Sequence, residues 1–459
     1  MSVVTIASRA VLGLLLAVLC AAAAQAKVVE STLPNGLKIL VKEDHRAPVV
    51  VCMVWYRAGS MDEFNGTTGV AHMLEHMMFQ GTAEVPGGEF SRIIARAGGR
   101  DNAFTNKDST VYHQQTHKSK LALILQLEAD RMANLQLSND QFARELKVVM
   151  EERRLRTDDQ PKSLVYEAFM AAAYNANPYR TPVIGWMNDL QALGAEDARA
   201  WYRRWYAPNN ATLVVVGDVS ASAVLEEAEK YFGPIAAHAL PERKPQLEPA
   251  QRGTRRVSVR AAAELPYLMM GWHVPSLRDV EQDWEPYALE MLAAVLDGSD
   301  AARLNRELVR ESRLALSAGA EYNSINRGPA LFVMDGTPAP GKTVDDLEKA
   351  LRLQVQRIVA QGVTDEELRR ARAQVTASQV FQLDSMFAQA REIGALNNVG
   401  LPPDSVTLQA RKLTQVSAEQ VREVARKYLL DDNLTVAVLE PEPLGDRKPA
   451  PPPAADHRH

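Results

Sequence analysis

The pattern of apolar and polar positions opens on a hairpin: two β-patterned runs, residues 28–33 and 37–42, flank a Pro34-Asn35-Gly36 turn, and a third β-rich run covers 49–57. The period then lengthens. Apolar residues recur at helical spacing over 70–79, 118–135 and 141–156. Strands interleaved with long helices predict an α+β fold. A Pro- and charge-rich stretch, 240–253, reads as a linker, and the tail 441–459, with Pro451-Pro452-Pro453, reads as disordered.

The same pattern occurs twice. Ala195-Glu196-Asp197-Ala198 leads through Trp205 and Asn210 into the strand-like run 212–216. Ala418-Glu419-Gln420-Val421 leads through Tyr428 and Asn433 into 435–439 at one constant offset. The β-run ending in Trp55 and Tyr56 has a counterpart in 267–273, and an apolar helix follows each. The chain therefore reads as a duplicated α/β domain, 27–239 and 254–440, joined by the linker.

Composition narrows the picture. Residues 1–26 carry a single charge, Arg9, then a compact apolar run and the small-x-small site Ala24-Gln25-Ala26. This is the layout of a cleavable secretory signal, too short to span a bilayer comfortably, and it predicts a periplasmic or secreted protein. Removal of the signal takes Cys20 with it and leaves Cys52 alone, so no intramolecular disulfide is expected. The net charge of -5, with both signs interspersed, offers no nucleic-acid surface and no polybasic membrane patch. A peptide or protein is the expected partner.

One segment carries chemistry. In His72-Met73-Leu74-Glu75-His76, the spacings of three and four put both imidazoles and the carboxylate on one helical face. Such a string arises by chance roughly once in a hundred chains of this length, and here it interrupts an apolar helix where unpartnered polar groups are costly. Two imidazoles so placed bind one Zn²⁺, and the carboxylate between them reaches a water without being a ligand. A catalytic zinc needs a third protein ligand and an open position. The helix over 141–156 offers Glu152, with Glu145 two turns earlier on the same face. His113 and His117 also stand four apart, but in a strand-like run, where that spacing does not make a ligand pair. The second half supplies an internal control: opposite the motif stand Glu290-Met291-Leu292-Ala293-Ala294, and opposite Glu145 and Glu152 stand Ala371 and Ser378. Packing residues persist across the halves while the His-Glu-His triplet and the paired acids are lost.

The string extended to Met77-Met78-Phe79-Gln80-Gly81-Thr82 resembles the signature of the pitrilysin/insulinase family of zinc peptidases. Supporting matches are Gly98-Gly99, Asn102-Ala103-Phe104-Thr105, Asp108, Tyr112, Asn177-Pro178-Tyr179, Gly185-Trp186 and Trp205-Tyr206-Ala207-Pro208-Asn209-Asn210. They run in order over nearly the whole chain after the signal. The resemblance implies a zinc endopeptidase built as half of a clamshell from two homologous α/β-roll domains, each a mixed, mainly antiparallel sheet packed with helices. It implies His72, His76 and Glu152 as ligands of one zinc, with Glu151 in that place if the helix register differs. It implies Glu75 as general base, Glu145 behind the ligands, and Asn102, Ala103 and Phe104 as the strand that binds substrate. The chain departs from the family where an Arg and a Tyr of the C-terminal half normally approach the substrate: Val309 and Leu316 stand there, with Arg310 one residue out of register. That departure resembles the zinc-bearing subunit of two-chain members, whose partner is a homologous subunit lacking zinc ligands. Two other readings compete. A non-catalytic core subunit would have lost ligands, and a structural zinc site would be closed by a fourth one.

Overall fold

The computed structural model describes residues 27–444. The segment read as an export signal lies outside them, as does the tail beyond 444. Among the described residues, no helix is long and apolar enough to cross a membrane.

Six strands form the first sheet: β1 (Val29–Thr32), β2 (Lys38–Glu43), β3 (Val49–Tyr56), β4 (Arg100–Thr105), β5 (Thr110–His117) and β6 (Ala211–Gly217). Their order is β1-β2-β6-β3-β5-β4. β2 pairs β6 in parallel and the other pairs are antiparallel. The opening hairpin forms where the pattern places it. Gly36 takes a φ of 86°, open to glycine at no steric cost, and Leu33 N donates to Leu37 O at 2.9 Å. The second sheet contains β7 (Arg255–Ala262), β8 (Tyr267–Val274), β9 (Ala315–Tyr322), β10 (Ala330–Pro338) and β11 (Leu434–Glu442). Its order, β7-β11-β8-β10-β9, repeats that of the first sheet from β2 onward, including the single parallel pair. The duplicated plan is thus visible in the topology.

Helices α1 (Val70–Met77), α2 (Leu121–Asn134) and α3 (Asn139–Arg153) cover one face of the first sheet. Met73, Leu74, Met77, Ile124, Leu125 and Val149 join a core with Val50, Cys52 and Val54 of β3. Helix α4 (Pro161–Ala173) leaves this layer and lies on the second sheet. There Val165, Phe169, Met170 and Ala173 pack with Tyr267, Met269, Ala437 and Leu439. The second sheet's other face carries α5 (Glu285–Asp297) and α6 (Asp365–Asp384). Helix α7 (Met386–Val399) then returns, placing Met386, Ala390 and Ile393 against Val51, Met53 and Trp55 of the first sheet. Each half therefore buries the open face of the other's sheet. At the junction, Arg327 donates to both carboxylate oxygens of Asp62 (2.8 and 3.0 Å) and its backbone N–H donates to Asp108 (3.0 Å).

Three sequence boundaries shift. The helix expected from 118 starts as a 3₁₀ turn, Lys118–Lys120, before α2. The helix expected over 141–156 starts earlier, where Ser138 Oγ accepts the Gln141 N–H, and ends at Arg153 in a π-helical turn, Arg154–Asp158. The tail expected to be disordered from Pro441 instead contributes Pro441 and Glu442 to β11, opposite Ala261 and Ala262 of β7. The pairing with β8 has stopped at Leu439, so the missing N–H of Pro441 breaks no rung on that side.

Candidate metal centre

Helix α1 begins at Val70 after Gly69, whose φ of 87° turns the chain into the helix. The unpaired N–H groups of its first turn point at a buried carboxylate: Glu63 accepts from Gly69 N (2.9 Å) and Ala71 N (2.8 Å). Glu63→Ala is expected to leave both donors buried and unmet, at a cost of about 1–3 kcal/mol. The check is a lower urea midpoint with an unchanged m-value.

Both histidines of α1 face the C-terminal half of α3. Glu152 Oε2 lies 3.4 Å from His76 Nε2 and 3.8 Å from His72 Nε2. One donor atom from each of His72, His76 and Glu152 falls within 4.8 Å of the other two. Donors around a tetrahedral zinc with ligands near 2 Å stand roughly 3.3 Å apart, so small side-chain adjustments close the triangle on one ion. Behind it, Glu145 Oε2 stands 3.4 Å from His76 Nδ1, and Glu145 Oε1 accepts from Gln80 Nε2 at 2.9 Å. That bond lets Glu145 fix the imidazole's orientation. Glu75 projects beside the pair, and Thr105 Oγ1 at the end of β4 donates to its Oε2 at 2.5 Å.

The electrostatics describe a pocket shaped around positive charge. Burial disfavours a charged His76, yet the Glu145 and Glu152 carboxylates hold its pKa up, to about 9. Burial likewise works against an ionised Glu152, but His76, His72 and Arg156 hold it down, to about 2. For Glu75 burial wins, and its carboxyl is pushed up to about 7 against the opposing Thr105 hydrogen bond. Two neutralisable imidazoles and a carboxylate that stays ionised make a donor set that fits zinc, with three protein ligands and space for water.

The alternative ligands lie elsewhere. Glu151 is exposed and pairs with Arg154 at 2.9 Å. His113 packs edge-on against Phe387 with ring centroids 4.9 Å apart, and burial pushes its pKa down to about 4. His117 bonds Ser119. Asn102, Ala103 and Phe104 lie on β4, the edge of the first sheet, and line a cavity of about 1120 Å³ together with His72 and Glu152. Its far wall comes from the second half, through Leu331, Val333 and Phe387. Val309, Arg310 and Leu316 are not among its lining residues, and Arg310 is exposed on a π-helical turn. In the second half, Ala294 of α5 and Ala371 of α6, which stand opposite His76 and Glu145, line one small cavity.

Sequence reasoning missed Glu63, and gave no role to Gln80 or Thr105 although both stand within the strings that carry the resemblance. Only a topology that returns β4 beside α1 reveals the Thr105–Glu75 contact.

Comparison with known proteins shows the family. The model of the insulinase family, peptidase family M16, matches residues 38–185, and the model described as the peptidase M16 inactive domain matches 192–375. The chain belongs to peptidase family M16. The second M16 match falls on the half in which Glu290, Ala294 and Ser378 stand opposite His72, His76 and Glu152, the last just beyond the matched residues. Zinc protease PqqE of Helicobacter pylori is 31% identical over 418 residues, covering 89% of this chain and 92% of that protein. An uncharacterized zinc protease of Bacillus subtilis, YmxG, is 26% identical over 89% of this chain and 97% of its own length. Among solved structures, a protease from Helicobacter pylori superposes with a TM-score of 0.86 at 30% identity, covering 91% of this chain and all of that one. The periplasmic protease PqqL of Escherichia coli shares the fold at a TM-score of 0.77 and 19% identity; this chain spans 48% of it. These M16 relatives place the chain among zinc metallopeptidases.

Proposed function

We propose that this M16 chain is the zinc-bearing subunit of an endopeptidase that cuts peptides or unfolded segments, with His72, His76 and Glu152 as ligands of one zinc and Glu75 as general base. The observation that carries the reading is the convergence of those three donors, from two helices, on a point flanked by a fourth group, the buried carboxyl of Glu75. Zinc bound there supplies an acidified water and a Lewis acid for the scissile carbonyl. With zinc held by His72, His76 and Glu152, Glu75 would be placed to accept a proton from the attacking water and return it to the leaving amine, and its burial keeps the carboxyl able to hold that proton. The Thr105 hydroxyl restrains the Glu75 carboxylate during both steps.

An extended peptide is expected to add to the free side of β4, where rungs come from the backbone and are largely indifferent to sequence. Asn102 Oδ1 now accepts the Ala103 N–H at 2.9 Å, so the incoming strand must replace that bond. Intact His72, Glu75, His76 and Glu152 argue against a non-catalytic core subunit.

With Val309 and Leu316 in place of a cationic and phenolic clamp, the second wall of a working site is expected from a homologous subunit. That PqqL carries about twice this chain's length in one polypeptide supports such pairing. The test is turnover of a quenched peptide by the purified chain alone, with its co-purifying homologue, and after chelation and zinc return. Activity that rises about 100-fold with the homologue, falls on chelation and recovers with zinc is the expected result. Full turnover by a monomer removes the partner, and turnover indifferent to chelation removes the zinc.

A further inference from the structure

The two oxygens of Glu152 have different neighbours. Oε2 faces the imidazoles, while Oε1 forms an ion pair with Arg156 Nη1 at 2.5 Å. Arg156 sits one turn beyond Glu152 in the π-helical segment Arg154–Asp158 and lines the cavity beside it. A glutamate's last torsion is broad and nearly two-fold, so packing alone sets poorly which oxygen meets a metal. A guanidinium bonded to one oxygen settles that choice and leaves the other aimed at His72 and His76.

From this geometry we infer that Arg156 is a positioning residue of the metal site, fixing Glu152 as a one-oxygen ligand; the inference rests on the zinc reading above. Two effects of the guanidinium oppose each other. Its charge repels a nearby dication and draws electron density from the ligand, whereas its hydrogen bond spares the ordering of a flexible carboxylate when the ion enters. Glu152 is largely shielded from solvent and Arg156 half exposed, with side-chain exposures of 15% and 48%. Solvent therefore screens the repulsion more than it loosens the direct bond, and ordering prevails. Neighbouring Arg154 provides the contrast. It lies in the same turn and is as exposed, but it bonds Glu151, which faces away from the donors.

The experiment is zinc competition against a fluorescent chelator, on the full chain, for wild type, Arg156→Ala, Arg156→Lys and Arg154→Ala, with thermal unfolding recorded for each apo-protein. Arg156→Ala is expected to weaken zinc binding about 10- to 100-fold. Arg156→Lys should restore part of that loss, since an ammonium keeps one bond and the charge. Arg154→Ala should stay within about twofold of wild type, which a general effect of helix charge would not allow. Equal or tighter zinc binding by Arg156→Ala overturns the inference and leaves the metal site standing. A wild-type chain that takes no zinc from the chelator overturns both. Equal losses in Arg154→Ala and Arg156→Ala trace the effect to a loosened π-helical turn rather than to the Glu152 contact and also overturn it.

Discussion

Glu75→Gln is expected to keep its zinc and lose turnover by about 10²- to 10⁴-fold, the range supplied by a positioned acid–base group. The exchange preserves shape. Glutamine's carbonyl oxygen can still accept the Thr105 hydroxyl that now donates to Glu75 Oε2, so α1 and the strand end should stay in register. What disappears is the site for the proton. Because Glu75 is not one of the three converging donors, metal content measured by mass spectrometry should remain at the wild-type ratio. His76→Ala should behave oppositely, losing zinc and turnover together, since it removes a donor that lies 3.4 Å from Glu152 Oε2. A zinc-loaded Glu75→Gln chain that cleaves within about tenfold of wild type would assign the proton transfer to another group.

The contrast between the two variants reflects what the sequence could and could not say. The His72-Glu75-His76 face was readable because helical periodicity converts spacing into direction, and the apolar residues around it fix which way the helix sits. Glu152 was one of two acids offered by its helix, and spacing alone could not rank it above Glu145. The difference between them is tertiary: Glu152 meets both imidazoles, whereas Glu145 meets the rear nitrogen of His76 and Gln80. The doubled topology was legible from its recurring landmarks, and the β7-β11-β8-β10-β9 order repeats the first sheet accordingly. The exchange of α4 and α7 between the halves left no trace in the pattern. An apolar stripe shows that a helix face is buried, but Met386, Ala390 and Ile393 would read the same against either sheet. Polar contacts between distant segments, such as Glu63 with the start of α1 and Thr105 with Glu75, depend on closures that no local period encodes.

That exchange should be the costliest place to disturb the fold. Phe169 of α4 is fully buried on the second sheet, and Phe169→Ala is expected to lower stability by about 3–5 kcal/mol. Directly opposite, Gly271 of β8 has extended backbone that any residue could adopt, yet a methyl there would overlap the Phe169 ring. Gly271→Ala should therefore cost about 1–3 kcal/mol through crowding alone. The two losses should not add. A methyl at 271 occupies space that Phe169→Ala vacates, so the double variant is expected to be more stable than the sum by about 1–2 kcal/mol in urea unfolding. Additivity within about 0.5 kcal/mol would show that the glycine is not there for the ring. The consequences should reach the metal as well. Glu167, two residues before Phe169, accepts from both terminal nitrogens of Arg153 at 2.8 and 3.0 Å, and Arg153 follows Glu152 directly on α3. A loosened α4 therefore releases the end of the helix that carries the carboxylate donor. Phe169→Ala should weaken zinc binding from one domain's sheet to the other domain's site, whereas a core truncation confined to the second half, Phe332→Ala, should lower stability with zinc affinity unchanged.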